Sequence, residues 1–187
     1  NSFPLSPVFP SNQLNMMKSV WALISLCVLF VACNQKEYSV TSGDPFLYSK
    51  TVKKLNDIVL ENNFPPMIAS RNYVYANIAA YECVVAGDSS YRSLAGQIRH
   101  MPEMPKPPVG KAIDFSLAAM LAFTKVGNAV TFPEGSMMGY YDDLVKKFED
   151  AGMPEETINN SKLFSDQVAD AVLAWSKKDN FAQTRSA

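Results

Sequence analysis

The feature that most constrains the fold is a stretch over residues 66–86 that is apolar on nearly every side and follows two prolines. Proline suits the first position of a helix, and Gly87-Asp88 predicts a left-handed helix end. A helix with apolar residues all round is buried on most sides. Such a helix needs neighbouring elements, so the sequence predicts a buried helix of an all-α protein. The apolar residues are Met67, Ile68, Tyr73, Val74, Ala76, Ile78, Ala79, Ala80, Val84 and Val85.

Helical spacing of apolar residues predicts four more long helices. In one of them, Gly127 indicates close approach to a neighbouring element. Residues 89–99 are predicted to form a short helix, and the proline-punctuated residues 100–108 a connector without regular structure. No alternating run of Val, Ile and Thr predicts a sheet, so the fold class is all-α. The four helices cover about 45–63 with Asp44 as N-cap, 111–132, 137–151 and 154–178.

The first 32 residues have the pattern of a leader rather than of a folded domain. Residues 1–15 carry no charge and precede Met16-Met17, which is typical of untranslated upstream sequence read into the chain. Residues 16–32 then place Lys18 before an apolar stretch, the arrangement of a secretory signal peptide. The stretch falls short of the roughly 20 apolar residues that span a membrane. A core helix is the alternative interpretation.

The leader ends in a sequence that resembles a bacterial lipobox. Leu29-Phe30-Val31-Ala32 precedes Cys33, although Phe30 and Val31 are less usual than a leucine and a small residue. We therefore predict that Cys33 is lipidated, against simple cleavage or a retained anchor. Each buried CH₂ of an acyl chain contributes about 0.8 kcal/mol to membrane binding. The mature protein is expected to be exported and lipid-anchored to the bacterial outer membrane or periplasmic face, with residues 33–43 as a tether and 44–187 as the helical portion.

The charge and the inventory of reactive residues exclude most kinds of chemistry within this chain. Seventeen basic and 18 acidic residues give a net charge of −1 without a basic run, so a nucleic-acid partner is not expected. The one histidine, His100, excludes a metal site built on a histidine pair, and Cys83 on an apolar helix reads as an inert buried thiol. No phosphate loop, GxSxG or HExxH occurs. We assign no catalytic, cofactor-binding or metal-ligating residue.

Two charged residues, Arg71 and Glu82, fall on one face of the apolar helix. A buried charge is costly unless it is paired. The two are about three turns apart, too far to be presumed partners, so each is expected to meet a group on another helix. The alternative is that this face lines a site. The adjacent acidic pairs Asp142-Asp143 and Glu155-Glu156 are interpreted as solvated surface.

Three segments resemble a known family. PPMIASRNYVYANIAAYE (65–82), SYRSLAGQ (90–97) and AWSKKDNFAQTR (174–185) are similar, in this order, to bacterial lipoproteins of the vanadium-dependent haloperoxidase and type 2 phosphatidic acid phosphatase superfamily. The resemblance implies the helical, bundle-like N-terminal portion of a vanadium haloperoxidase/acid phosphatase-type fold. It also implies an enzyme that oxidises halide with peroxide or hydrolyses a phosphomonoester.

The signature that holds the oxyanion in this family is missing from the chain. In the family, a Lys followed by Arg-Pro, a Ser-Gly-His segment and a final Ser-Arg with a downstream His surround phosphate or vanadate, and none of these is present here. The resemblance therefore implies an N-terminal fragment whose partner is a missing C-terminal catalytic half. Vanadate would be a cofactor of the full-length protein and not of this fragment. The competing hypothesis is a non-enzymatic helical surface lipoprotein that binds a ligand or partner. The oligomeric state stays open.

Overall fold

A computed structural model describes residues 38–133, 135–180 and 183, so the upstream segment, the signal peptide and Cys33 lie outside the described residues. Over those ranges the chain is helical, and its only extended pairing is a single bridge between Ala95 and Ile98. The prediction of an all-α fold is confirmed. The long helices are α1 (Pro45–Glu61), α2 (Pro66–Gly87), α3 (Phe115–Val130), α4 (Met138–Asp150) and α5 (Glu155–Ser176), with a short 3-10 turn at Lys177–Asp179. Residues 38–42, at the end of the predicted tether, are also helical.

Side-chain caps decide where two of the helices begin. The Asp44 carboxylate accepts a hydrogen bond from the backbone N–H of Phe46 at 2.9 Å, as the N-cap prediction requires. Asp114 does the same for the N–H of Leu117 at 2.8 Å. For this reason α3 begins at residue 115, four residues later than the apolar spacing predicted.

The predicted left-handed end of α2 is wrong. Gly87 is the last helical residue, and the chain leaves through Asp88 in an extended conformation with φ −136° and ψ 108°. The predicted stop after α4 is confirmed, because Gly152 adopts φ 84°. Glycine therefore has two different roles at these ends. At Gly152 it supplies a left-handed backbone, and at Gly87 it supplies space.

The central helix of the fold is α3. The segment 117–124 is buried throughout, and α3 packs against all four other helices. The α2 helix packs against α3 and α5, and hydrogen bonds of Tyr48 and Tyr73 join it to α1. The prediction that α2 is buried on most sides is confirmed, because its buried residues occupy more than half of its circumference. The described residues leave one narrow strip uncovered, along which Met67 is 86% exposed and Val74 is 53% exposed.

Gly127 brings α3 close to its neighbours, as the sequence indicated. A Cβ atom at this position would lie 2.7 Å from the Met137 sulfur and 3.4 Å from Leu55 Cδ1. Met137 immediately precedes α4, and Leu55 belongs to α1. A larger residue at 127 would force these elements apart.

The predicted short helix over residues 89–99 is wrong. Turns replace it, and Gly96 adopts φ 77°, which interrupts a right-handed helix. The Asp88 carboxylate accepts from the N–H of Ser90 at 2.9 Å, and the Glu82 carboxylate accepts from the N–H of Leu94 at 2.7 Å. The bond to Glu82 takes the Leu94 N–H, which a helix over these residues would direct to the carbonyl of Ser90. The connector over residues 100–108 has no regular structure, as predicted.

Candidate functional site

The one site residue predicted from the sequence, Cys33 as the lipidated N-terminus, lies outside the described residues. Its lipidation stays a prediction. Among the helices that the structure describes, none is long and apolar enough to cross a membrane.

The two residues with the most reactive side chains are placed as the sequence indicated. His100 is exposed in the loop before the connector, with φ 62°. Cys83 is fully buried in α2, and burial raises the pKa of its thiol far above the usual range, with the neighbouring Glu82 charge adding to the effect. A thiol that stays protonated is a poor nucleophile. The interpretation of Cys83 as an inert buried thiol is confirmed.

The acidic residues do not assemble a metal site in the part of the chain that the structure describes. No three His, Cys, Asp or Glu side chains lie together there as a metal ion would require. The adjacent pairs Asp142-Asp143 and Glu155-Glu156 are exposed, which confirms their interpretation as solvated surface.

Arg71 joins the first half of α2 to the turn that follows α5. Its Nε donates to Asp179 Oδ2 at 2.7 Å, and the Tyr75 hydroxyl donates to the same oxygen at 2.9 Å. The guanidinium carbon also lies 4.8 Å from the centre of the Tyr75 ring, whose other contact is the edge of Trp175. Burial, then the Asp179 hydrogen bond and charge, raises the pKa of Tyr75 to about 12. The prediction that Arg71 meets another element is confirmed, with a partner 108 residues away.

Glu82 is the second charged residue of α2, and it is only 3% exposed. Its Oε2 accepts from the Ser93 hydroxyl at 2.8 Å, and its Oε1 accepts from the N–H of Leu94 at 2.7 Å. These partners belong to the turns after α2 and not to another helix, which corrects the sequence prediction. Within the described ranges, no lysine or arginine lies within ion-pair distance of this carboxylate. Glu82 therefore organises the 93–94 turn without a counter-ion.

Glu82 also lines a cleft of about 650 Å³ between the C-terminal half of α2 and the proline-punctuated connector. Glu82 therefore lies where the alternative interpretation, in which the charged face of α2 lines a site, would place it, and that interpretation stays a prediction. Arg71 is not part of the cleft. The sequence did not predict this cleft, because the connector forms its other wall. The spacing of apolar residues does not predict the path of such a connector. The lining residues are Glu82, Val85, Ala86, Ser93, Ala95, Glu103, Met104, Pro105, Lys106, Pro107 and Val109.

Arg71 and Lys125 are the two most buried cationic side chains that form ion pairs, and their surroundings do not suit a vanadate ion. Such an ion needs several fixed cations and donors directed at one point. Arg71 is held by Asp179, and Lys125 is held by Asp166 and Asp170 at 3.1 and 2.9 Å. These carboxylates would repel a multiply charged anion. We assign no vanadate site to the described residues.

Comparison with known proteins places this fold. No family model and no curated protein matches the chain. A solved structure does match it: the crystal structure of the first bacterial vanadium-dependent iodoperoxidase, with 35% sequence identity and a TM-score of 0.70 over 74% of this chain. The chain is a relative of the vanadium-dependent haloperoxidases. The resemblance drawn from the sequence to the haloperoxidase and phosphatidic acid phosphatase superfamily is thereby confirmed.

The match covers only part of the iodoperoxidase chain. It covers 33% of the iodoperoxidase chain, so this chain spans about a third of that protein's length. The described helices form an all-α, haloperoxidase-like fold, as the resemblance implied. The activity, substrate and cofactor of a complete protein are matters of proposal.

Proposed function

We propose that this chain is the N-terminal, non-catalytic helical segment of a lipid-anchored phosphatase- or haloperoxidase-like enzyme. The complete enzyme would oxidise halide in a vanadate-dependent reaction or hydrolyse phosphomonoesters. The observation that carries the proposal is the asymmetry of the match, which extends over 74% of this chain but 33% of the iodoperoxidase. An enzyme of comparable length would hold its oxyanion site in polypeptide beyond these helices.

The uncovered side of α2 supports a scaffold role. Met67 and Val74 are exposed on the same side of the helix, and Val84, 37% exposed, lies at the edge of that face. Exposed apolar side chains along one side of a helix are typical of a surface that another element covers. In the proposed enzyme, helices of the additional polypeptide would cover this strip.

The absence of an oxyanion site among the described residues agrees with a non-catalytic segment. The partly buried cations Arg71 and Lys125 are neutralised by carboxylates, and the chain's one histidine is exposed in a loop. The lipid anchor is supported by the signal-peptide pattern and by Cys33 at its end.

The test is to compare this chain with the polypeptide that the uninterrupted gene encodes. Both proteins are purified, and iodide oxidation by peroxide is measured with orthovanadate supplied, whereas hydrolysis of p-nitrophenyl phosphate is measured without vanadate. We expect turnover from the longer protein and none from residues 33–187. Iodide is the first halide to test because the similar structure is an iodoperoxidase.

Two results would contradict the proposal. The first is turnover by the 33–187 chain alone. The second is a natural stop codon near codon 187, or a continuing frame without an Arg-Pro, Ser-Gly-His and Ser-Arg signature. The second result would favour the non-enzymatic surface lipoprotein.

A further inference from the structure

The carboxylate of Glu82 is buried with no positive charge beside it. Burying an ionised carboxylate is expensive unless hydrogen bonds and a cation compensate for the lost water. A carboxylate has about four acceptor positions, and Ser93 and Leu94 use two of them. Glu82 is also among the residues that line the cleft.

The cleft itself has the build of a small-molecule site. Its volume of about 650 Å³ lies within the range of ligand pockets, roughly 300–1,000 Å³. The walls beside Glu82 are apolar and come from Val85 on α2 and from Met104 and Pro105 on the connector. A single buried polar group among apolar walls is the usual arrangement for fixing one charged end of a ligand.

The charges at the rim favour a cation over an anion. Glu103 and Lys106 are both exposed and line the cleft. Lys106 forms no ion pair with Glu82 within the described residues. The titratable side chains that line the cleft are therefore two carboxylates and one ammonium group. The net charge of these three side chains is negative, and Glu82 is the buried one among them.

We propose that this cleft binds an organic cation, a primary ammonium or guanidinium group carried on an apolar stem. The cationic group pairs with the Glu82 carboxylate, and the stem packs between Val85 and Met104. Two sources of this chemistry exist, a free amine and a basic side chain of further polypeptide. The site goes beyond the proposed function, because it is separate from halide or phosphate chemistry.

The test uses the full chain and three probes with the same stem and different charge. These are 3-phenylpropylamine, 3-phenylpropan-1-ol and 4-phenylbutanoate, titrated into the labelled protein and followed by protein-observed NMR. We expect the amine to bind at least tenfold more tightly than the alcohol, and the carboxylate to bind more weakly than either. The Leu94 amide resonance should shift with the amine, because this N–H donates to Glu82 at 2.7 Å. An amine that binds no more tightly than the alcohol overturns the proposal.

Variants locate the effect on one carboxylate. Glu82→Gln keeps the side-chain size and an acceptor for Leu94 but removes the charge, so we expect amine affinity to fall to that of the alcohol. Glu103→Gln, at the exposed rim, is the matched control and should change amine affinity less than threefold. Equal losses in both variants would mean a diffuse surface attraction and would overturn the site. Should Glu82→Gln not fold, the three-probe comparison on the unaltered chain decides alone.

Two further arms complete the test. Lys106→Met should bind the amine as tightly as the unaltered chain or more tightly. Amine binding that occurs only in Lys106→Met would make Lys106 the natural partner of Glu82 and overturn the proposal. In the longer protein, retained amine binding identifies a free amine as the occupant, and binding lost only there identifies a basic side chain of that polypeptide. Iodide and phosphomonoester turnover do not enter these measurements, so the proposed function can fail independently.

Discussion

Replacing Gly87 by alanine tests whether α2 and α3 meet at a point where only a hydrogen fits. A Cβ atom on residue 87 would lie 2.4 Å from Cδ2, 2.5 Å from Cγ and 3.0 Å from Cβ of Phe115. Rotation about the Cα–Cβ bond of Phe115 would move Cγ and Cδ2 but not Cβ. Relief therefore requires the Phe115 ring to leave its packed position, together with a small shift between the end of α2 and the start of α3.

The expected cost follows from two opposing terms. Overpacking of this kind costs about 1–3 kcal/mol. Alanine is intrinsically better than glycine in a helix by up to about 1 kcal/mol, but this gain is reduced at the last helical residue. We therefore expect Gly87→Ala to lower the free energy of unfolding by about 1–2 kcal/mol, a melting temperature lower by roughly 2–8 °C for a chain of this size.

Urea unfolding of the full chain, followed by circular dichroism, measures the effect. Gly139→Ala is the matched control, because residue 139 lies in α4 and its Cβ would meet nothing within 4 Å. This control should be neutral or stabilising, by up to about 1 kcal/mol. A Phe115→Ala background should remove most of the cost of Gly87→Ala, since the ring atoms are gone.

The result that would refute the reasoning is a Gly87→Ala protein as stable as Gly139→Ala. A cost for Gly87→Ala that is the same with and without the Phe115 ring would refute it equally. In either case the close approach of residues 87 and 115 would not limit the packing of α2 against α3.

Three other perturbations have definite expected outcomes. Asn72→Leu should raise the free energy of unfolding by about 1–3 kcal/mol, because both amide atoms of the fully buried Asn72 lack a hydrogen-bond partner. The urea midpoint should rise accordingly, and a lower midpoint would contradict this. Native stability should decline as the pH rises above about 8.5, the ordinary thiol pKa, because the folded-state pKa of Cys83 is raised and only the unfolded chain then releases its proton. The decline should be shallower in Cys83→Ala. Cys33→Ala should abolish incorporation of labelled palmitate and release the exported protein from the membrane fraction, and unchanged membrane retention would exclude a lipid anchor at Cys33.

Most of the helix positions could be predicted, because their signals are local. Asp44 and Pro45 mark the start of α1 within two adjacent residues, and Gly152 marks a stop by its backbone conformation alone. The short helix over 89–99 could not be rejected in the same way. The Leu94 N–H is taken by the carboxylate of Glu82, which lies 12 residues earlier in the chain.

The candidate site was predictable only in part. The sequence showed that Glu82 on an apolar helix needs an explanation, and it left open whether the residue meets a partner or lines a site. The structure shows that Glu82 has partners, because its carboxylate holds the 93–94 turn, and that the residue also borders a cleft. The second wall, around Met104 and Pro105, belongs to the connector. Its prolines exclude a helix there but do not predict the path of the chain.

The sequence by itself determined the all-α class, the number of long helices, the relationship to the haloperoxidases and the lack of reactive groups, because composition, periodicity and motifs are properties of the chain read in order. Only the tertiary structure decided that α3 is the central helix, that Arg71 is neutralised by Asp179, and that Glu82 faces a cleft without a counter-ion. Each of these depends on which distant residues come together, and burial and charge compensation are set by those neighbours. The apolar sequence of α2 predicts that other helices pack against it. Only the tertiary structure shows which of its sides they cover.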